Sequence, residues 1–465
     1  MEDNMKDNSK KKRAKKRFGF WKAALCVVVA AAVIAPGYML ISGYIKSLPA
    51  INYTLYTGEA QAAPYPDARF AVISDLHFYD VSLGVTGAAF ERELYGDRKL
   101  LVESEELLDF AVEELLRADV QFVLISGDLT KDGEMLNHQR LAEKLQQLVD
   151  GGIKVYVTPG NHDVNSFNAV RFEGDQKIPV DAASAEDFAR IYANMGYGDA
   201  LMRDTGSLSY VAEPLPGLWV VSIDACRYPE NLPGQPEVVS GRVSQALEGW
   251  LADVLGEAAG QGKAVLAIMH HGVVEHWDGQ AKLHPDYLVE DFKHFGQFLA
   301  SYNVRLVFTG HYHAQNIAEA RFGGKPLFDV ETGSLVTYPC PIRYAELKDG
   351  AFAVTTDTIG DKLRPGTDFA ETSRAFVKQT VELEAKNTLR KYRVSEKDAD
   401  IIADAVGDAF AAHYSGDADA SLRTYVDTGK LSLWGRIVYS TQRYVLDGLW
   451  AASSPPDNDA VFRLD

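Results

Sequence analysis

Five short apolar runs, each followed within four residues by Asp, His or Asn, constrain this chain more than any other feature. Residues 70–73 lead into Ser74-Asp75-Leu76-His77, and residues 120–125 into Gly127-Asp128. Residues 155–157 lead into Gly160-Asn161-His162-Asp163, residues 265–269 into His270-His271, and residues 304–308 into Gly310-His311-Tyr312-His313. Between the early runs lie helical stripes, first Leu107, Leu108, Ala111, Val112, Leu115 and Leu116, then Leu136, Leu141, Leu145 and Leu148. Strands alternating with helices predict a layered α/β domain with largely parallel pairing at its start. Open α/β sheets bind ligands beyond the carboxyl ends of their strands, so the five polar groups should converge at one edge.

Further along, residues 218–223 predict another strand and residues 328–359 a β-meander. From about Asp368 helical patterns take over, at 376–392, 395–414 and 431–450. The predicted organisation is a basic segment 1–22, a transmembrane anchor 23–45, a linker or stalk 46–68, an α/β domain 69–359, a helical domain 366–452 and a loose tail 453–465. No internal repeat is evident.

The anchor follows from charge and length. Residues 1–22 hold nine Lys and Arg against three acids, and residues 23–45 carry no charged side chain. A helix of that length, at roughly 1.5 Å per residue, spans a hydrocarbon core of about 30 Å. The basic flank predicts a cytoplasmic N-terminus and an exported body. A cleaved signal peptide is the alternative, although its apolar region is usually shorter, roughly 7–15 residues. With a net charge of −18 on the whole chain, the part after residue 22 carries −24. Nucleic acid, which demands basic surface, is therefore an unsuitable partner. The three cysteines, Cys26, Cys226 and Cys340, fit neither a disulfide framework nor a CxxC zinc site. Cys226 and Cys340 read as small buried residues, with a bridge between them the alternative in an oxidising compartment.

Asp, His and Asn offer oxygen and nitrogen donors suited to Mn, Fe or Zn. Glycines ahead of Asp128, Asn161 and His311 would let the backbone turn sharply off each strand. Two divalent ions bring four positive charges against the two of Asp75 and Asp128. The surplus would attract a phosphate to an otherwise acidic protein.

DxH, GD, GNHD, a strand-end His and GHxH, in this order over residues 69–359, resemble the calcineurin-like metallophosphoesterase superfamily. The Gly127-Asp128-Leu129-Thr130 form of the second motif resembles the class III cyclic nucleotide phosphodiesterases of bacteria. The helical tail is similar to the C-terminal domain of some bacterial members. The resemblance implies a four-layer α/β/β/α sandwich and two divalent metal ions. It implies Asp75, His77, Asp128 and His313 at one ion, and Asp128, Asn161, His270 and His311 at the other, with Asp128 bridging.

A pair of ions about 3.5–4 Å apart can hold a shared hydroxide and aim it at phosphorus. His162 is the expected general acid for the departing alkoxide, with Asp163 orienting its ring. His138, His271 and His276 are candidates to support the ligands or touch substrate. The expected function is hydrolysis of small phosphodiesters, with 3',5'-cyclic nucleotides as the leading substrate class. The alternatives are a phosphomonoesterase or nucleotidase, an envelope-polymer phosphodiesterase, and a membrane-tethered binding protein without turnover. Neither the oligomeric state nor the identity of the metal follows from the sequence.

Overall fold

The structure, a computed structural model, describes residues 51–58, 62–416, 418–451 and 454–464. The basic segment and the expected anchor lie outside these residues. Among the described residues no helix is long and apolar enough to cross a membrane.

Two mixed sheets face each other. In the first, β1 (Ala68–Ile73), β2 (Phe122–Ile125) and β3 (Lys154–Val157) run parallel. The antiparallel strands β13 (Pro341–Lys348), β14 (Ala351–Thr358) and β15 (Ala460–Arg463) extend it beyond β1, giving the order β15-β14-β13-β1-β2-β3. The second sheet has the order β11-β12-β10-β9-β8-β7-β6. Its members are β6 (Met202–Arg203), β7 (Tyr210–Leu215), β8 (Leu218–Ile223), β9 (Ala264–Met269), β10 (Leu306–Thr309), β11 (Asn316–Phe322) and β12 (Lys325–Glu331). Here β8, β9, β10 and β12 are parallel. A separate hairpin pairs β4 (Val170–Glu173) with β5 (Gln176–Pro179).

Every residue of β8 and β9 is buried, as expected for strands covered on both faces. Alternation divides their side chains. Leu218, Val220, Leu266, Ile268, Leu306 and Phe308 turn toward the first sheet, where the Phe70 ring meets Phe308 edge-on at 5.4 Å. Trp219, Val221, Val265, Ala267 and Val307 turn the other way, against the helices Gln245–Gln261 and Phe292–Ser301. The helices Ser104–Arg117 and Met135–Asp150 pack on the first sheet through Leu107, Leu108, Ala111, Val112, Leu115, Leu141, Leu145 and Leu148. The stripe is narrower than expected, since Leu116 is exposed. Helices, sheet, sheet and helices thus stack in layers, and every parallel strand delivers its C-terminal end to one edge.

The helices Phe369–Lys391, Glu396–Ser415 and Leu433–Leu449 form the expected C-terminal module. Their apolar faces close over Trp277, Tyr312 and Ala314, so the module packs on the loop that follows β10.

Two expectations need correction. The segment expected as a stalk lies on the body from Tyr53 onward. Tyr53 packs beside Phe295 and Phe298, Tyr56 beside Tyr302, and the Tyr65 hydroxyl donates to the Val265 carbonyl at 2.8 Å. Three tyrosines supply enough apolar area to hold an otherwise irregular segment down. The tail is not loose either, because β15 pairs with β14 and Phe462 stacks on Phe328 with centroids 4.1 Å apart. Cys226 and Cys340 are both free thiols, half-buried and buried in turn, which sets aside the alternative of a bridge between them.

Phe462→Ala should therefore lower the unfolding free energy by about 2–3 kcal/mol, read as a lower urea midpoint. An unchanged midpoint would mean that the last strand contributes nothing.

Candidate metal centre

Five of the expected ligand residues adopt a positive φ although none is glycine: Asp75 (50°), His77 (35°), Asp128 (48°), His311 (74°) and His313 (66°). Such backbone is sparsely allowed, costs on the order of 1–3 kcal/mol per residue and persists only where neighbours enforce it. The enforcement here is mutual. Asp75 donates its N–H to the Gly127 carbonyl (3.1 Å), His77 to Asp128 (3.0 Å) and Gly310 to His270 (3.1 Å). The His311 N–H reaches Asp75 Oδ2 at 3.0 Å, and the Ser334 hydroxyl holds the Asp75 carbonyl at 2.7 Å. Each strand-end loop is thus locked by the next.

The side chains converge as the strand ends predict. His77 Nε2 lies 3.2 Å from His313 Nε2 and 3.5 Å from Asp128 Oδ2, while Asp75 Oδ1 lies 3.3 Å from His313 Nε2. On the other side of Asp128, Oδ2 lies 3.2 Å from His270 Nε2, which is 3.2 Å from Asn161 Oδ1. Two clusters result, Asp75/His77/Asp128/His313 and Asp128/His270/His311, and they share Asp128. All of these side chains are buried.

The donor set fits a pair of cations. The His270 Nδ1–H donates to the Ser126 carbonyl at 2.8 Å, which leaves Nε2 with its lone pair toward Asp128. The His311 Nε2–H faces the Asp286 carbonyl at 3.3 Å, which leaves Nδ1. Fixing a histidine's tautomer through its second nitrogen is how proteins present imidazole to a metal. Burial, and then the Lys99 charge, hold His77 well below its usual pKa, in the neutral form that binds metals. Burial works against ionisation of Asp128, but His270 and His162 outweigh it and keep the carboxyl ionised.

The glycines do two different jobs. Gly127 has a φ of 93° and makes a turn. Gly310 is not in the left-handed region, and its role is clearance, because a Cβ there would collide with Ser74 Oγ and Asp75 Oδ2.

His162 stands beside the first cluster, its ring 5.3 Å from that of His77 and its N–H donating to Asp128 Oδ1 at 3.0 Å. The carboxylate that orients it is Asp132, not Asp163. His162 Nδ1 is 2.7 Å from Asp132 Oδ1 and 3.5 Å from Glu237 Oε2. Burial and Lys99 oppose protonation, but Asp128 and Asp132 prevail and raise His162 to about 9. Asp163 instead accepts from the N–H groups of Gly160 (2.8 Å), Leu129 (3.0 Å) and Thr130 (2.9 Å). It ties the second motif to the third. Its place directly after His162 favoured the wrong carboxylate, because consecutive side chains on this turn point apart.

The remaining candidates lie around the centre rather than in it. His138 is buried with Nδ1 on the Tyr192 hydroxyl (2.9 Å) and Nε2 on the Asp163 carbonyl (2.8 Å), which makes it a brace. The His271 ring lies 4.6 Å from that of His311, and its Nε2–H donates to the Val239 carbonyl at 2.9 Å. His276 is buried against Asn316 (2.8 Å), Asp329 (3.3 Å) and Glu331 (3.5 Å), away from the ligand donors. Sequence reasoning missed Asp132, Glu237, Ser334 and Lys99. Only Asp132, four residues after Asp128, carried a signal; the others arrive from distant loops.

The chain matches the family model of the calcineurin-like phosphoesterases over residues 68–315. It belongs to that family, and it carries the family's dimetal type of site. Among solved structures it is similar to a dimetal phosphatase from Danio rerio, at 19% identity and a TM-score of 0.45, covering 63% of this chain and 96% of that one. It is also similar to a purple acid phosphatase from yellow lupin seeds, at 11% identity and a TM-score of 0.37, covering 64% of this chain and 53% of that one. Comparison with curated proteins gave no significant match.

Gly310→Ala should abolish activity by at least about 100-fold, because Asp75 must move to admit the methyl group. Gly256→Ala, on a helix face with nothing within 4 Å, should leave activity intact and add up to about 1 kcal/mol of stability. Equal activity in the two variants would show that Asp75 tolerates displacement.

Proposed function

We propose that the protein hydrolyses small phosphodiesters, with 3',5'-cyclic nucleotides the leading class. The observation that carries this reading is the pair of donor clusters sharing one carboxylate, with the half-buried His162 held on the buried Asp132 beside them. Asp75, His77, Asp128 and His313 would hold one divalent ion, and Asp128, Asn161, His270 and His311 the other. When bound, the two ions supply an activated nucleophile and neutralise charge developing on the phosphoryl oxygens.

The chain's own residues do the rest. Asp132 fixes the His162 ring through Nδ1 and stabilises its protonated form. No side chain described occupies His162 Nε2, which is thus able to deliver a proton to a departing alkoxide. Glu237, from the loop before the helix Gln245–Gln261, adds a second carboxylate on the same ring. Asp163 keeps the GD and GNHD loops in register, so its contribution is to position.

The diester preference is supported by Leu129 and Thr130 after Asp128, the form that resembles cyclic nucleotide phosphodiesterases. A body held outside the cytoplasm by an N-terminal anchor is supported by the basic block and the uncharged run behind it. Extracellular nucleotides or envelope phosphodiesters would then be the accessible substrates.

Full-length protein supplied with Mn, Zn or Fe should cleave cyclic nucleotides and bis-aryl phosphates faster than phosphomonoesters, by initial rates. A preference for monoesters would move the assignment to a phosphatase. Protonation by His162 makes a sharper forecast. His162→Ala should cost roughly 10²–10⁴-fold on an alkyl leaving group and far less on p-nitrophenoxide, which needs no proton. Asp132→Asn should show the same selectivity at smaller size. Equal losses on both leaving groups would remove His162 from the role of acid.

A further inference from the structure

Arg98 and Lys99 bring positive charge to the rim of this acidic body's site. Their segment is fixed to the loop after β12. Leu100 donates its N–H to the Val336 carbonyl at 2.7 Å, and the Thr337 hydroxyl donates to the Arg98 carbonyl at 3.3 Å. The same loop holds the Asp75 carbonyl through Ser334 and the Ser74 carbonyl through the Leu335 N–H (3.0 Å). One short loop therefore sets the spacing between the two cations and a metal ligand.

Lys99 is buried and pairs with Asp97 at 2.9 Å, and its charge is felt at His77, Asp128 and His162. Arg98 is engaged on one side only. Its Nη1 meets Glu384 of the helix Phe369–Lys391 at 3.1 Å. Its Nε is buried without a partner, and none of the described residues accepts from Nη2. Those two atoms form one edge of the guanidinium, the edge that receives a carboxylate or phosphate through two parallel hydrogen bonds. A buried unpaired donor on a cation is costly unless something outside the protein completes it. An aromatic wall runs from the centre to the neighbourhood of Arg98. The Tyr287 ring lies 4.6 Å from that of ligand His311 and 4.8 Å from Tyr312, which lies 6.2 Å from Tyr414. Tyr287 and Tyr414 are both within electrostatic reach of Arg98.

We propose that the Nε/Nη2 edge of Arg98 receives a second oxyanion, phosphate or carboxylate, carried by the substrate away from its reacting phosphorus. The proposal rests on the phosphoesterase reading and, within the small phosphodiesters, shifts the preferred substrate from singly charged cyclic mononucleotides to esters that carry a second anionic group. The subsite lies at the seam between the α/β domain and the C-terminal helices, so the module contributes to specificity.

The test is a series of p-nitrophenyl alkyl phosphates of graded chain length, ending in methyl, carboxylate or phosphonate, given to the metal-loaded full chain. At one length or more an anionic tip should raise kcat/KM at least about tenfold over methyl, through KM. The carboxylate and phosphonate arms tell which oxyanion fits. Arg98→Gln should erase the preference. Glu384→Gln frees the guanidinium while cutting the same tie to the helix, and should keep or enlarge it. No preference at any length, or its equal loss in both variants, overturns the proposal; equal loss would make Arg98 a structural clamp. If no ester is cleaved, the phosphoesterase reading fails by itself. Calorimetric titration with alkyl bisphosphonates and monophosphonates still reads the subsite, and equal affinities in wild type and Arg98→Gln would refute it.

Discussion

Asp128 is buried on a strained turn, and its two carboxylate oxygens face different neighbours. Oδ2 looks toward both His77 and His270, and Oδ1 takes the N–H of His162. A carboxylate so placed belongs to both donor clusters at once. Histidine lone pairs turned inward on two buried carboxylates, Asp75 and Asp128, would be an unstable packing unless cations or protons balanced them. The mutual locking of the strand-end loops is the structural consequence. Positive φ at five donors is tolerable only because the GD loop carries the DxH loop, which in turn holds the GHxH loop.

The fold supplies the rigidity this needs. Strands β1, β2, β9 and β10 are buried on both faces, so their ends have little freedom to move. The chemistry then sits on short loops anchored at both ends. The C-terminal helices reach the same edge through Tyr312, the residue between the donors His311 and His313. A module that packs against the residue between two donors of the clusters is coupled to the centre by contact. Glu384 and Tyr414 extend that coupling to the rim, where Arg98 stands.

Much of this was legible in the sequence, for a physical reason. Metal donors must sit at strand ends, and strand ends are marked by a change from β-branched runs to Gly, Asp and His. The parallel strands followed from that pattern, and the seven residues expected as donors do come together at one edge. What failed was whatever depends on contacts between distant segments. Asp163 stood next to His162 in sequence, yet Asp132 was the partner, because side-chain direction on a tight turn does not follow adjacency. Tyr53, Tyr56 and Phe462 sat in segments whose local composition suggested looseness. Their anchorage comes from rings on the far side of the chain, such as Phe298 and Phe328. Arg98 and Lys99 gave no signal, since two cations among so many acids look like ordinary surface.

The most direct test of a shared carboxylate is metal content, counted per chain by mass spectrometry after gel filtration with Mn. Wild type should retain two ions, Asn161→Ala one, and Asp128→Asn fewer than one, since its loss weakens both sites together. Two ions retained by folded Asp128→Asn would contradict the account, because the clusters would then be independent of the residue said to join them.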